Sequence, residues 1–136
     1  MKLIIKRSEW ARGPDRDNYL FEDVGGDGQP TLPRRCCLGF LGNACGIPDQ
    51  QLIYSVTPAT DCRMYEGHVA LWPAGLIKAV SYAPVYGGPE SETWTGSSVQ
   101  EQLVCINDDQ EISDQERERA LAAEFTKIDV QVEFTD

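Results

Sequence analysis

The clearest pattern of apolar and polar positions lies in the last third of the chain. Apolar residues recur every three or four positions across residues 98–106, which predicts an amphipathic helix. Ser113 is followed three positions later by Glu116, the signature of a capping box, and we expect a second helix over residues 114–126. Residues 128–134 then alternate apolar with polar side chains, which predicts a strand with one buried face.

Three of the five cysteines lie in a third predicted helix, between Cys36 and Cys45. At ~3.6 residues per turn, its broad apolar side carries Cys37, Leu38, Phe40, Leu41, Ala44 and Cys45, and its other side carries Cys36, Gly39, Gly42 and Asn43. The two adjacent cysteines therefore face different surroundings. Two arginines precede Cys36, and both cations and a helix N-terminus favour a thiolate, so Cys36 is the candidate for chemistry.

The first part of the chain predicts a β-hairpin, with strands at residues 2–7 and 18–21 joined across a polar turn. Residues 47–97 hold short apolar runs broken by proline and glycine, so we expect mostly irregular structure there. The length suits one domain, residues 1–136. We predict an α+β fold in which the N-terminal hairpin and the C-terminal strand form a small antiparallel sheet, covered on one face by about three helices.

Pairing of the first and last strands would also match their charges. It would bring the cations of Lys2, Lys6 and Arg7 close to the carboxylates of Asp129 and Glu133. Opposite charges on neighbouring strands attract, so the two ends of the chain are expected to be held together.

The cysteine spacing and the hydropathy bear on location and cofactors. The five cysteines show no paired spacing that would indicate a disulfide framework, which fits a reducing cytoplasm. No Cys-x-x-Cys motif occurs and His68 is the only histidine, so we expect no metal and no other cofactor. No apolar run approaches the ~20 residues that span a bilayer, so a membrane partner is not expected either.

Negative charge gathers toward the end of the chain. The formal net charge is −10, and residues 107–136 hold three Lys or Arg against ten Asp or Glu. Direct binding to nucleic acid is not expected, because phosphates require clustered cations. An acidic surface suits a basic surface on another protein, and it also simply keeps a small protein soluble, so both interpretations stay open. The candidate binding residues are Asp108, Asp109, Glu111, Asp114, Glu116, Glu118 and Glu124.

Two further kinds of site remain open. A small cysteine-dependent hydrolase or transferase would use Cys36 as nucleophile, His68 as base and Asn107 or Asp108 to orient the imidazole. The order Cys, His, Asn is that of papain-like enzymes. Alternatively, the middle loops could bind a small nucleotide-like ligand or offer an aromatic contact patch. That patch would consist of Tyr82, Tyr86 and Trp94.

Three separated blocks of sequence occur together in a known pattern. They are Met1–Trp10 with Arg12-Gly13, Cys36–Gly42 with Ala44–Gly46, and Ile106–Asp109 with Ile112–Asp114 and Glu116–Glu118. In these blocks the chain resembles small uncharacterised proteins encoded in tailed-phage and prophage genomes. The resemblance implies no catalytic residue, but it implies a context, because small acidic phage proteins often bind a host protein. The expected function is a non-enzymatic accessory protein in the host cytoplasm, acting as an inhibitor of host defence.

Overall fold

A computed structural model describes residues 1–13, 20–24, 32–53, 55–83 and 87–136. Helices and strands are mixed along the chain, and the prediction of an α+β fold is confirmed. The strands are β1 (Lys2–Lys6), β2 (Phe21–Val24), β3 (Leu32–Arg35), β4 (Ile77–Tyr82), β5 (Ser91–Gly96) and β6 (Gln131–Thr135). The helices are α1 (Cys37–Ala44), α2 (Asp49–Leu52), α3 (Pro58–Met64), α4 (Ser98–Asp108) and α5 (Asp114–Thr126). Short 3-10 turns cover Arg7–Glu9 and Glu66–Ala70.

The first and last strands pair as predicted, but they run parallel. Lys2 of β1 lies opposite Gln131 of β6, and the two strands stay in register to their ends. The direction follows from the turn after α5, because the Met1 ammonium donates to the Asp129 carbonyl (3.1 Å) and the Gln131 N–H donates to the Met1 carbonyl (2.9 Å). Both strands therefore begin at the same end of the sheet.

The predicted antiparallel sheet, built from an N-terminal hairpin and the last strand, is wrong in its pairing. The strand expected at residues 18–21 lies partly outside the described residues, and the chain continues from Phe21 into β2. β2 pairs antiparallel with β3, which the sequence did not mark because Leu-Pro-Arg-Arg has no apolar alternation. The described chain thus holds three two-stranded sheets, β1–β6, β2–β3 and β4–β5, in place of one.

The predicted charge match across the terminal strands holds for one of the three cations. Lys2 forms an ion pair with Glu133 across β1 and β6. Lys6 instead contacts a glutamate in the turn that follows β1. Arg7 turns toward α5, where its Nε and Nη2 donate to the two carboxylate oxygens of Glu118 at 2.6 and 2.9 Å. The N-terminal strand is therefore tied both to β6 and to α5.

α1 is buried on almost every side, whereas the sequence predicted one apolar side. All residues of Cys37–Gly42 are buried, and Ala44, expected on the apolar side, is exposed. A Cβ at Gly39 would lie 1.9 Å from the carbonyl oxygen of Leu20, so only glycine fits there. This close approach brings α1 against the chain that enters β2, and places it in the middle of the core.

The middle of the chain, residues 47–97, is more regular than predicted. It contains α2, α3 and the β4–β5 hairpin, so the described residues hold five helices where about three were expected. The Thr57 hydroxyl accepts from the Thr60 N–H (3.2 Å), and Pro58 occupies the first turn of α3. No helix in the described ranges is both long enough and apolar enough to cross a bilayer.

The side-chain amide of Asn107, near the end of α4, joins three parts of the fold. Its Oδ1 accepts from the Trp10 indole Nε1 (2.9 Å) and from the Cys37 backbone N–H (3.1 Å). Its Nδ2 donates to the Ala11 carbonyl (3.1 Å) and to the Asp108 carboxylate (3.0 Å). Both lone pairs and both hydrogens of this buried amide are used, so its hydrogen bonding is complete.

Arg117, a buried residue of α5, caps the C-terminal end of α4 with its guanidinium group. Its Nη1 donates to the carbonyls of Ile106 (2.7 Å) and Asn107 (3.0 Å), which lie in the last helical turn, where carbonyls lack partners within the helix. The capping box of α5 is confirmed: Ser113 Oγ accepts from the Glu116 N–H, and Glu116 Oε2 accepts from the Ser113 N–H, both at 3.1 Å. The two helices are therefore fixed to each other at their joined ends.

We predict that Asn107→Ala lowers the free energy of unfolding by about 3 kcal/mol, because it removes the buried oxygen that accepts from both the Trp10 indole and the Cys37 N–H. Chemical denaturation followed by circular dichroism measures the change. Gln102→Ala is the matched control, since Gln102 is an exposed amide on the same helix and should cost less than about 0.5 kcal/mol. Equal losses for both variants would contradict the role of Asn107.

Candidate functional site

Among the described residues, three of the seven candidate carboxylates form ion pairs with cations of this chain. The pairs are Arg12–Asp114 (2.8 Å), Arg7–Glu118 (2.6 Å) and Lys127–Glu124 (2.7 Å). Glu116 is engaged in the capping box of α5. These four side chains stabilise the fold locally, so they offer less negative charge to a partner than the sequence implied.

The pair between Arg12 and Asp114 also changes the titration of the carboxylate. The hydrogen bond from Arg12 holds the pKa of Asp114 below its ordinary value, and a longer contact from Arg117 (3.5 Å) acts in the same direction. Arg12 lies over the Trp10 ring, 4.6 Å from its centroid, and this stacking fixes the guanidinium beside the start of α5. The first turn of α5 is therefore anchored to the N-terminal segment.

The remaining acidic residues follow α4 and the turn after it. Residues 98–116 contain no Lys or Arg. Glu101 on α4 and Glu111 in the turn are exposed, and Asp109, half-buried, accepts from the Glu111 N–H (2.9 Å). Among the described residues these three carboxylates form no ion pair, whereas Asp108 accepts from Asn107. We call Glu101, Asp109 and Glu111 the α4 acidic face.

Glu101 was missed by the sequence argument, which followed the charge of residues 107–136 only. The signal that would have found it is the run of 19 positions, 98–116, without a cation, combined with the helical spacing that turns Glu101 away from Leu103. Leu103 is fully buried and Glu101 is exposed, as that spacing requires. The acidic surface therefore begins near the start of α4 and not at its end, where the prediction placed it.

Cys36 lies at the N-cap of α1, as the sequence suggested, but its side chain is only 2% exposed. A nucleophilic thiolate needs both a favourable charge environment and access for its substrate. The two arginines that precede Cys36 donate hydrogen bonds to other groups. Arg35 donates to Asn43 (2.5 Å) and to Asp49 (2.9 Å), and Arg34 donates to the Trp10 carbonyl (3.4 Å). The geometry gives Cys36 a packing role at the start of α1.

The other cysteines differ in their surroundings. Cys37 is buried beneath α4, with its Sγ 3.8 Å from the Leu103 carbonyl oxygen. Burial and the nearby Asp61 carboxylate raise the pKa of Cys62 to about 12, and burial raises the pKa of Cys45. Cys105 is exposed on α4. Thiol reactivity is therefore expected at Cys105 first.

His68 has a carboxylate partner that the sequence argument missed. Its Nδ1 lies 2.8 Å from Oδ2 of Asp61, and the Trp72 indole donates to the same oxygen (2.9 Å). Asn107, the predicted orienting group, makes its four hydrogen bonds elsewhere, so none of them reaches the imidazole. Asp61 precedes His68 by seven residues across the break between α3 and the turn, and no motif marks that spacing.

The predicted aromatic patch does not assemble as expected. Trp94 pairs with Ala79 across the hairpin, and Tyr82 lies three residues from Ala79, so Tyr82 and Trp94 point to opposite faces. Trp94 packs against the core, whereas Tyr82 is 52% exposed. Tyr86 lies outside the described residues. A contact surface on the hairpin would therefore use the face that carries Tyr82.

Two open grooves meet at the start of the chain, with volumes of about 550 and 470 Å³. Both are lined by Met1, Asp129 and Val130, and the second is also lined by Leu71 and Pro73 of the middle segment. A nucleotide-like ligand in the middle loops stays a prediction, since both grooves are centred on Met1 and the turn between α5 and β6. Within the described ranges no group of three or more His, Cys, Asp or Glu side chains could hold a metal ion.

We predict that Cys105 reacts with a neutral thiol reagent at pH 7 at least about 100-fold faster than Cys36, Cys37 or Cys62, because those three become accessible only through opening of the core. Cys45, half-buried, should fall between the two groups. Mass spectrometry of peptides after timed labelling gives the rates, and labelling in denaturant should equalise all five. Fast labelling of Cys36 in the native protein would instead support the cysteine nucleophile.

We predict that Asp114→Asn lowers the free energy of unfolding at pH 7 by about 0.5 kcal/mol, a small value because the side chain is half exposed. The pKa of Asp114 is lower in the folded state than its ordinary value of 3.8, so the stabilisation is complete above 3.8 and disappears as the pH falls below it. Urea denaturation of the parent protein and of Asp114→Asn, at pH 7 and at about pH 2.5, measures the difference in their free energies of unfolding at each pH. Glu111→Gln is the control variant, because Glu111 has no ion pair among the described residues to lose.

Comparison with models of protein families, with curated proteins and with solved structures finds no match to this chain. No relative therefore supplies a function or a set of site residues. The role of the protein has to be argued from the placement of its own charges, thiols and strands.

Proposed function

We propose that this chain is a non-enzymatic accessory protein, encoded by a phage or prophage, that binds a host protein through the α4 acidic face. The partner carries a basic surface, and the binding inhibits a defence system of the host. The protein acts in the host cytoplasm. The observation that carries the proposal is that Glu101 on α4 and Glu111 in the turn after it are exposed and form no ion pair among the described residues, inside a run of 19 residues without a cation.

The distribution of internal ion pairs supports this choice of surface. Arg7, Arg12 and Lys127 neutralise carboxylates of α5, whereas the described residues place no cation on the carboxylates of the α4 acidic face. Unneutralised charges attract a partner of opposite sign over several ångströms and speed its approach. A protein with net charge −10 would therefore meet a basic partner most productively along α4.

The placement of the sequence blocks that carry the phage resemblance supports a binding role over catalysis. Trp10, Cys37 and Asn107 come from the three different blocks, and they meet in one hydrogen-bonded cluster. Each polar atom of that cluster's amide is used to hold backbone or ring groups together. Such a cluster maintains the fold, so a partner would be bound by exposed residues elsewhere on the protein.

Charge reversal at Glu116, Glu118 and Glu124 is a poor test, because these side chains cap α5 or pair within the protein. A sharper variant is Glu101→Gln with Glu111→Gln, which removes two exposed charges and keeps the side-chain size. Glu90→Gln with Glu92→Gln is the matched control, since both are exposed and lie on or beside β5.

We predict that the Glu101/Glu111 variant weakens capture of a host partner by about tenfold, whereas the Glu90/Glu92 variant changes it less than about twofold. Affinity capture from a bacterial host extract identifies the partner, and biolayer interferometry against that purified partner gives the dissociation constants. Binding should also weaken with added salt and with duplex DNA, if the basic surface normally holds nucleic acid. An equal loss of affinity in both double variants would mean that only net charge matters. No loss of affinity in either variant would exclude the α4 acidic face as the binding site.

A further inference from the structure

The hairpin of β4 and β5 has one covered side and one open side. α3 packs on the hairpin mainly through β5, and Trp94 turns toward the core. All of β4 after Ile77 is exposed, including Val80 at 38% and Tyr82 at 52%. Within the described residues, β4 pairs with β5 alone, so its other edge carries no strand.

The alternation of hydrogen-bonded and non-hydrogen-bonded residue pairs in the hairpin identifies which backbone groups face that open edge. The Ser97 N–H donates to the Leu76 carbonyl (3.0 Å), so residues 76 and 97 form a hydrogen-bonded pair just beyond the two strands. In an antiparallel pair such residues alternate with pairs whose N–H and C=O groups point away from the partner strand. The outward pairs therefore include Ala79 with Trp94 and Ser81 with Glu92.

A second contact supports the assignment of Trp94 to an outward-facing pair. The Nε of Arg63, on α3, donates to the Trp94 carbonyl at 2.9 Å, so that carbonyl points away from β4. The outer edge of β5 is thereby engaged by α3, at least at this position. On β4 the corresponding outward groups belong to Ile77, Ala79 and Ser81. An exposed edge of this kind is a template for another strand.

We propose that β4 pairs antiparallel with β4 of a second copy of this chain, forming a four-stranded sheet across a twofold axis. The outward backbone groups belong to odd-numbered residues, so an odd residue must pair with an odd residue across the axis. Several registers satisfy this condition, and we choose the one in which Tyr82 also lies opposite a residue of the second β4. This register places Ala79 opposite Ser81 of the second copy. Val80 then lies opposite Val80 of the second copy, at the axis itself.

The side chains favour this register and this occupant. Lys78, Val80 and Tyr82 share the outer face of β4, and Lys78 would lie opposite Tyr82 of the second copy. An ammonium over a tyrosine ring is favourable, and two valines facing each other at the axis bury apolar surface. The small side chains of Ala79 and Ser81 leave room on the inner face.

The charge distribution also favours self-association at this edge. Residues 67–89 contain no Asp or Glu, although the chain as a whole carries −10. Two copies therefore repel each other less through this hairpin than through the C-terminal third. The pairing involves few residues, so we expect a weak dimer with a dissociation constant of about 10 to 100 μM.

The test is a disulfide across the axis, in full-length protein with Cys45→Ala and Cys105→Ser to remove the two accessible thiols. Val80→Cys places two thiols in a pair without ladder hydrogen bonds, about 4.5 Å apart at Cα, a distance that a disulfide spans. Oxidised glutathione should convert most of this variant to a covalent dimer. Thr93→Cys is the control, because Thr93 lies beside Val80 one strand further from the axis, and its two copies would be about 14 Å apart.

A second variant tests the backbone contacts. Ser81→Pro removes an N–H that points to the open edge and leaves the β4–β5 ladder intact, a position where edge strands tolerate proline. Sedimentation equilibrium should show dimer in the parent protein at about 300 μM and at least a fivefold weaker association in Ser81→Pro. Monomeric parent protein at that concentration overturns the proposal. Cross-linking of Thr93→Cys as fast as Val80→Cys, or a dimer unaffected by Ser81→Pro, overturns it as well.

Discussion

The buried amide of Asn107 is the contact on which the arrangement of the fold depends. Three of its four hydrogen bonds reach the indole of Trp10, the neighbouring Ala11 carbonyl and the first amide of α1, so they join α4 to two segments that lie far from it in the chain. Leaving any one of these buried groups unpaired would cost free energy without compensation, so the network admits one arrangement of the three segments. Apolar packing alone around Leu103 would permit several. The amide thus supplies specificity where the core supplies most of the driving force.

Features encoded over a few residues were predictable. The capping box of α5 depends on Ser113 and Glu116 alone, and the alternation that marks β6 is complete within seven residues. The direction of the β1–β6 pairing was not predictable in the same way. It depends on Asp129, which adopts φ 58° and turns the chain after α5 so that β6 starts beside Met1. Asp is tolerated in this left-handed conformation, but its occurrence there is not visible from hydrophobic periodicity.

The candidate site was harder to foresee, because its electrostatics depend on residues about one hundred positions apart. The acidic C-terminal third was recognised from composition, yet the neutralisation of Asp114 and Glu118 comes from Arg12 and Arg7 at the other end of the chain. The burial of Cys36 has the same origin. Its position at a helix start was visible, whereas the packing of α1 on all sides requires the whole core. Local sequence indicates which groups are present, and the topology decides which of them face solvent.

The same topology links the stability of the fold to its surface charge. Parallel pairing of β1 with β6 carries the chain toward α5, and the arginines that follow β1 then bind the acidic side chains of that helix. These cations are therefore committed to closing the termini and are not available to α4. A protein with few cations cannot neutralise both helices, so α4, whose exposed carboxylates form no ion pair among the described residues, keeps its negative charge. The acidic face of α4 follows from how the ends of the chain are joined, and a change that loosened the termini would be expected to alter that surface as well.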